Sequence, residues 1–259
     1  MDFLGDNTYN QWAAFLLILL RTGALFITMP FFSSNNIPVM VKAGLCLAFS
    51  FMLQPVLGIS ADNYPTEILG FALLATGELM IGAIMGLTVR MLFAAIQIMG
   101  QLVGFQMGLA MANVLDPMGG DQISVLGQFC YLTAMLLFFN LDGHLLLIAA
   151  LKDSFFMVPP GTFSLSQDLA TTVMRHAGNM FTTAMLMGAP VIGALLFTQV
   201  SMGVIAKTVP QMNILIVGFP FTISVGLIFL GLALGTMAPL LGDTFQGLQV
   251  MMQRLLRGM

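Results

Sequence analysis

Residues Gly100–Gln122 read GQLVGFQMGLAMANVLDPMGGDQ, and this stretch decides how the rest of the chain is understood. It begins as a smooth helical face, with Gly100, Gly104 and Gly108 spaced four apart. It ends in a run dense with helix breakers, Asp116-Pro117-Met118-Gly119-Gly120-Asp121. Apolar segments flank it on both sides. In lipid, irregular backbone is tolerated only where protein buries it or where it lines a cavity. A membrane protein that keeps such a tract between two apolar runs is expected to use it to occupy or gate a passage.

Composition sets the class. Of 259 residues, 58% are hydrophobic and 7% charged, against roughly 25% charged in ordinary globular domains. Mean hydropathy is +0.97. No charge occurs between Arg90 and Asp116, between Arg175 and Lys207, or between Lys207 and Asp243. Each run exceeds the roughly 20 apolar residues that cross a bilayer. The expectation is an all-α integral membrane protein, a bundle of about six to seven long, partly kinked apolar helices. The formal net charge of −3 gives no basis for a nucleic-acid partner. Cys46 and Cys130 lie in apolar segments without metal spacing and read as small buried hydrophobes. The first residues are acidic, and no small-x-small site follows the first apolar run, so that run is read as retained.

The apolar segments run near 12–29, 37–57, 68–89, 91–112, 123–151, 178–205 and 212–241. The third and fourth are divided only by Arg90 and form one long helix or a bent pair. The longest loop is placed at Lys152–Asp168, with Pro159-Pro160-Gly161, and makes the best internal boundary. After it come two long runs that read as a helical hairpin closed by Lys207–Gln211. Pro190 and Pro220 fall inside those runs and predict kinks or breaks. Eight basic residues, several within apolar segments, are too few for the positive-inside rule to orient the chain.

Charge inside an apolar segment is costly and marks a functional candidate. Arg21, Glu78 and Arg90 are the cases, with Lys42 early in the second segment. Either Arg21 or Arg90 pairs with Glu78 to fix helix positions, or Glu78 serves a proton relay. Pairing is the preferred reading, because a relay needs several acids or histidines at one depth. Asp142-Gly143-His144 has no accompanying nucleophile motif and reads as a break in an apolar run; His176 reads as solvated. Two histidines and two cysteines, scattered, offer no metal site, and no cofactor is expected.

Small-residue spacings at Gly82/Gly86, Gly100/Gly104/Gly108 and Gly231/Gly235 favour close helix packing, within the chain or between subunits. Methionine is abundant, at 23 residues. Met107, Met111 and Met118 flank the breaker tract, either as packing or as a deformable seal around a passage. Gln97, Gln101 and Gln106 lead into it; the first two share a helix face that should meet protein or water rather than lipid.

Ordered signals along the chain resemble the FliR family of flagellar export-gate proteins, whose injectisome relatives are called SctT. They are Arg21–Pro30 with Phe31-Phe32-Ser33, Gly77-Glu78 through Gly82 and Gly86, and Gln97–Pro117. Then follow Val125–Phe129, Asn140–His144, and Pro210–Asn213 through Gly218-Phe219-Pro220. Asp116-Pro117 and Leu126-Gly127-Gln128-Phe129 look more like the flagellar branch. The resemblance implies one copy joined to several FliP and FliQ subunits in a helical ring around a conduit, much of it above the bilayer plane. FlhB- and FlhA-type export components would be further partners, in the inner membrane at the flagellar basal body. It also implies a FliP-like part over 1–170 and a FliQ-like hairpin over 171–259.

In that family a loop after the central helix plugs the conduit, and here it maps to 105–122. Phe105, Gln106, Met107, Met111, Asp116, Pro117, Met118, Gly119 and Gly120 are its plug residues. The glycines, with Gly104 and Gly108, admit backbone into a narrow pore. The methionines seal it, and Asp116-Pro117 sets the turn. The implied function is non-enzymatic: a subunit that forms and closes the channel for unfolded flagellar substrates. A secondary transporter with helices broken at Pro190 and Pro220 is the alternative.

Overall fold

The computed structural model describes residues 3–33, 37–58, 64–65, 67–109, 124–209, 211 and 213–259. Among them the regular structure is wholly helical. The helices are α1 (Phe3–Thr28), α2 (Val39–Leu57), α3 (Ile68–Gln106), α4 (Val125–Asn140), α5 (Gly143–Met157), α6 (Gln167–Thr208) and α7 (Ile214–Arg257). Five are long and apolar enough to cross a membrane, and α4 with α5 makes a sixth if counted as one broken span.

Several boundaries differ from expectation. Arg90 does not interrupt α3, which runs unbroken for 39 residues. An exposed arginine can extend its head away from an apolar helix while its stem stays packed. The run 123–151 is split, because Asp142 takes a left-handed conformation at φ 55°, which aspartate tolerates better than most residues. The loop expected at Lys152–Asp168 is shorter, Val158–Ser166, since α5 continues to Met157 and α6 starts at Gln167. The residues expected to open it, Lys152–Met157, are the last of α5, with Ser154 and Phe155 buried. Neither Pro190 nor Pro220 breaks its helix. Ring nitrogens remove single hydrogen bonds, and neighbouring protein groups can satisfy the freed carbonyls.

The chain forms two compact units, each assembled from separate stretches. The first contains Met1–Met91, Asp142–His176 and Gly247–Met259; the second contains Leu92–Leu141 and Ala177–Gln246. In the first unit α1 packs on α2, and α2 on α5. Ser164 donates backbone and side-chain hydrogen bonds to the Met259 carbonyl, at 2.9 and 2.7 Å. The second unit is centred on an aromatic cluster of Phe93, Phe138 and Phe245, with centroids 5.1–5.9 Å apart. Cys46 and Cys130 are buried free thiols.

Candidate functional site

In the first unit Arg21 and Glu78, two of the charges set inside apolar segments, join one buried network. Arg21 and Glu78 are both 0% exposed. Arg21 Nε donates to Glu78 Oε2 at 2.5 Å, Nη1 to Ser154 Oγ at 3.1 Å, and Nη2 to the Val158 carbonyl at 2.9 Å. Its guanidinium carbon lies 4.1 Å from the Phe155 ring centre, a cation–π contact. The Ser154 hydroxyl donates to the Leu151 carbonyl at 2.6 Å, leaving its oxygen to accept from Arg21. One guanidinium therefore ties α1 to α3 and to the end of α5. Arg21, not Arg90, is the partner of Glu78; Arg90 is exposed.

Glycines make that junction possible. A Cβ at Gly82 would strike the Arg21 carbonyl and the Ala24 methyl, and one at Gly86 would overlap the Thr28 hydroxyl. The Gly82/Gly86 spacing thus serves packing of α3 on α1 within the chain. Gly231 and Gly235 share the same spacing but meet nothing within 4 Å.

In the second unit the root of the breaker tract is built with comparable closeness. Met111, Asp116, Pro117, Met118, Gly119 and Gly120 lie outside the described residues; Phe105, Gln106 and Met107 lie within them. Helix α3 ends in a Schellman turn, in which the Gly108 amide bonds to the Phe105 carbonyl and the Leu109 amide to that of Gly104. Gly108 sits at φ +85°, the left-handed position this turn demands. Four-residue spacing puts Gly108 on the packing face of a continuing helix, but it is instead the stop signal. Gly100 and Gly104 stay on the face.

A Cβ at Gly100 would fall 2.7 Å from the Gly127 Cα, so α3 and α4 touch backbone to backbone. One at Gly104 would fall 3.0 Å from Ser124 Oγ. Ser124 caps α4, accepting from the Gly127 amide at 3.2 Å. Residues 104–109 and 124–127, from which the tract departs and to which it returns, are thereby pinned together.

Both other helices of this unit hold the root. Gln199 of α6 donates to the Gln106 carbonyl at 3.1 Å, and Thr222 of α7 to that of Met107 at 3.2 Å. These helix-end carbonyls have no helical partner of their own. Thr222 has one hydroxyl proton, which the Gly218 and Phe219 carbonyls also attract, so its bond to Met107 is shared. Met107 is 0% exposed, its thioether filling the notch at Gly226. The Phe219 ring covers Gly108. Phe105, by contrast, is 72% exposed.

Sequence reasoning missed Ser124, Gln199, Thr222 and Gly226, and singled out Gly127 only within the Leu126–Phe129 tract, not for its contact with Gly100. Only Ser124 carried a signal, a capping residue directly before an apolar helix. Among the described residues no group of three or more His, Cys, Asp and Glu could hold a metal.

The family model described as bacterial export proteins, family 1, matches residues 12–248. The chain belongs to this family. As a family 1 export protein, it is similar to three curated flagellar biosynthetic FliR proteins. That of Pectobacterium carotovorum subsp. carotovorum is 33% identical, with 90% of both chains covered. That of Bacillus subtilis strain 168 is 34% identical over 87% of both. That of Escherichia coli K12 is 31% identical over 90% of both. A multi-pass membrane protein of flagellar export follows from the family and the apolar helices together.

Proposed function

We propose that this export-gate subunit forms, and with residues 105–122 closes, the channel through which unfolded flagellar substrates leave the cell interior. What supports the reading is the pinned neck at Gly104–Leu109 and Ser124–Gly127. It fixes the two ends between which residues 110–123 run, as a plug requires. Met107, expected in the seal, is buried against Gly226 and anchors the plug instead; Phe105 and Gln106 flank it, and Met111 and Met118 form the seal. Asp116-Pro117 sets the turn, and Gly119-Gly120 let backbone enter a narrow pore.

The partners in this reading are FliP and FliQ subunits in a helical ring, with FlhB- and FlhA-type components, at the basal body in the inner membrane. Residues 1–170 take the FliP-like place in the ring and 171–259 the FliQ-like place. That division concerns position in the ring, and it differs from the two compact units, which interleave along the chain. The subunit is non-enzymatic and takes export energy from other components.

The test deletes residues 110–120 while keeping Met107 and Ser124. The assembled gate should still form and should leak ions across the membrane. Unchanged conductance in a correctly assembled gate would refute the plug.

A further inference from the structure

In the first unit the start of α6 lies against the end of α7. Ser166, directly before α6, donates its hydroxyl to the Gly258 carbonyl, and a Cβ at Gly258 would fall 3.6 Å from the Leu169 amide. Leu169, Leu255 and Leu256 are buried. From this junction α6 leads out to Arg175 and His176, and α7 leads back to Arg254. Both arginines are exposed. The charges of both act on His176, so the three basic side chains share one patch. Among the described residues neither arginine has an ion-pair or hydrogen-bond partner. Asp168, the acid in the first turn of α6, is two turns, or about 10 Å, from Arg175 along the helix. His176 Nε2 is shielded from water and also unpartnered, whereas shielded polar atoms are nearly always satisfied.

We infer that Arg175 and Arg254 form a docking point, outside the bilayer, for an acidic segment of another protein. Like charges held together without a counter-charge repel, and a docked anion relieves that repulsion. Carboxylates are the acceptors that guanidinium groups bind in bidentate pairs. A lipid headgroup is out of reach. The apolar span of α7 is Ile216–Gly235, and Arg254 lies about 28 Å further along the helix. Tilted by 40°, α7 would still carry it about 22 Å past the hydrocarbon, whereas headgroups occupy only about 5–8 Å on each side. A lone small ion gains little at exposed side chains; a protein segment excludes water from both pairs at once.

This inference does not depend on the plug reading, since Arg175, His176 and Arg254 all lie in the first compact unit.

The experiment uses the purified full chain, free of other subunits so that the patch is open, and the fluorescence anisotropy of a labelled peptide of alternating glutamate and glycine. The peptide should bind, and its glutamine counterpart should not. Arg175→Gln and Arg254→Gln should each weaken binding about threefold, and the double variant about tenfold. Arg90→Gln, at an exposed arginine elsewhere, should change nothing. Moving the chain from dioleoyl-phosphatidylcholine to dioleoyl-phosphatidylglycerol nanodiscs should leave the affinity within about twofold, because the patch lies more than a Debye length from the headgroups. No binding by the unmodified protein, an equal loss with Arg90→Gln, or displacement by inorganic phosphate at the peptide's own concentration overturns the assignment. So does loss of peptide binding in the phosphatidylglycerol discs, which would give the arginines to lipid. A second measurement needs no variant: the glutamate peptide should slow phenylglyoxal modification of Arg175 and Arg254 but not of Arg90. Equal slowing at all three, or none, likewise overturns it.

Discussion

The two halves of α3 meet their neighbours through the same device and are then secured by opposite chemistry. Before Met91, Gly82 and Gly86 let α3 close on α1, and the Arg21–Glu78 pair locks the contact. After it, Gly100 and Gly104 let α3 close on α4, and aromatic rings, a thioether and side-chain hydrogen bonds to two helix-end carbonyls hold the rest. A buried ion pair is close to all-or-none, because loss of one partner strands a charge in apolar surroundings. Contacts of the second kind fail one at a time, each at modest cost. The contrast is between one fastening that fails as a whole and several that fail separately.

The largest test of the contrast lies at the ion pair. Glu78→Leu should strand the Arg21 guanidinium and cost about 3–5 kcal/mol, read as a lower unfolding temperature or loss of folded protein. Arg21→Met with Glu78→Leu should recover most of that loss. A single variant as stable as the double would remove the all-or-none character claimed for the first half. Next, Met107→Ala should open a cavity at Gly226 and cost about 2–5 kcal/mol, while the ion-pair half stays intact. Its effect should add to that of a substitution at Phe93 only to the extent that the two sites share no partners; strong coupling would show that the second half, too, acts as one lock.

Gly86→Leu and Gly100→Leu should each cost about 1–3 kcal/mol by overpacking. Equal penalties would locate the difference between the halves in the fastening chemistry; unequal ones would locate it in the backbone approach. The smallest effect is at Tyr64. Burial first, and the charge of Glu78 second, push its phenol above the ordinary value of about 10. The fold therefore favours the neutral phenol. That contribution is complete below about pH 10 and is lost as pH rises through the folded value. Tyr64→Phe should flatten the alkaline fall in unfolding temperature. The Arg21→Met, Glu78→Leu double variant should lower the phenol's titration point in ultraviolet absorbance. No change there would separate Tyr64 from the lock.

The first half of α3 was more legible in the sequence than the second. Arg21 and Glu78 stand out because charge in an apolar run has few explanations. Ser154 and the Val158 carbonyl, which complete the network, fall in a tract that reads as loop, and a backbone acceptor has no side-chain signature. Glycine spacing indicates that close approach is possible, not whether a neighbour takes it. Gly82/Gly86 are filled and Gly231/Gly235 open, with nothing in the local sequence to distinguish them. Gly108 shows the sharper limit, since one residue serves either a helix face or a helix end, and distant Phe219 and Thr222 belong to the second outcome. Apolar length alone merged 123–151 into one run, since a single Asp-Gly does little to hydropathy and much to backbone.

The continuity of α3, α6 and α7 carries a geometric consequence. At 39, 42 and 44 residues they are about 58, 63 and 66 Å long. The hydrocarbon slab is about 30 Å thick. Even tilted by 40°, near the upper limit for membrane helices, each would have about 20 Å or more to spare. Mismatch at a fraction of a kcal/mol per Å makes it unfavourable for lipid to stretch that far. The surplus length must then lie outside the hydrocarbon; in α7 it is the part beyond Ile216–Gly235, which carries Asp243, Arg254 and Arg257. Helix length and bilayer-crossing length are therefore separate quantities in this chain.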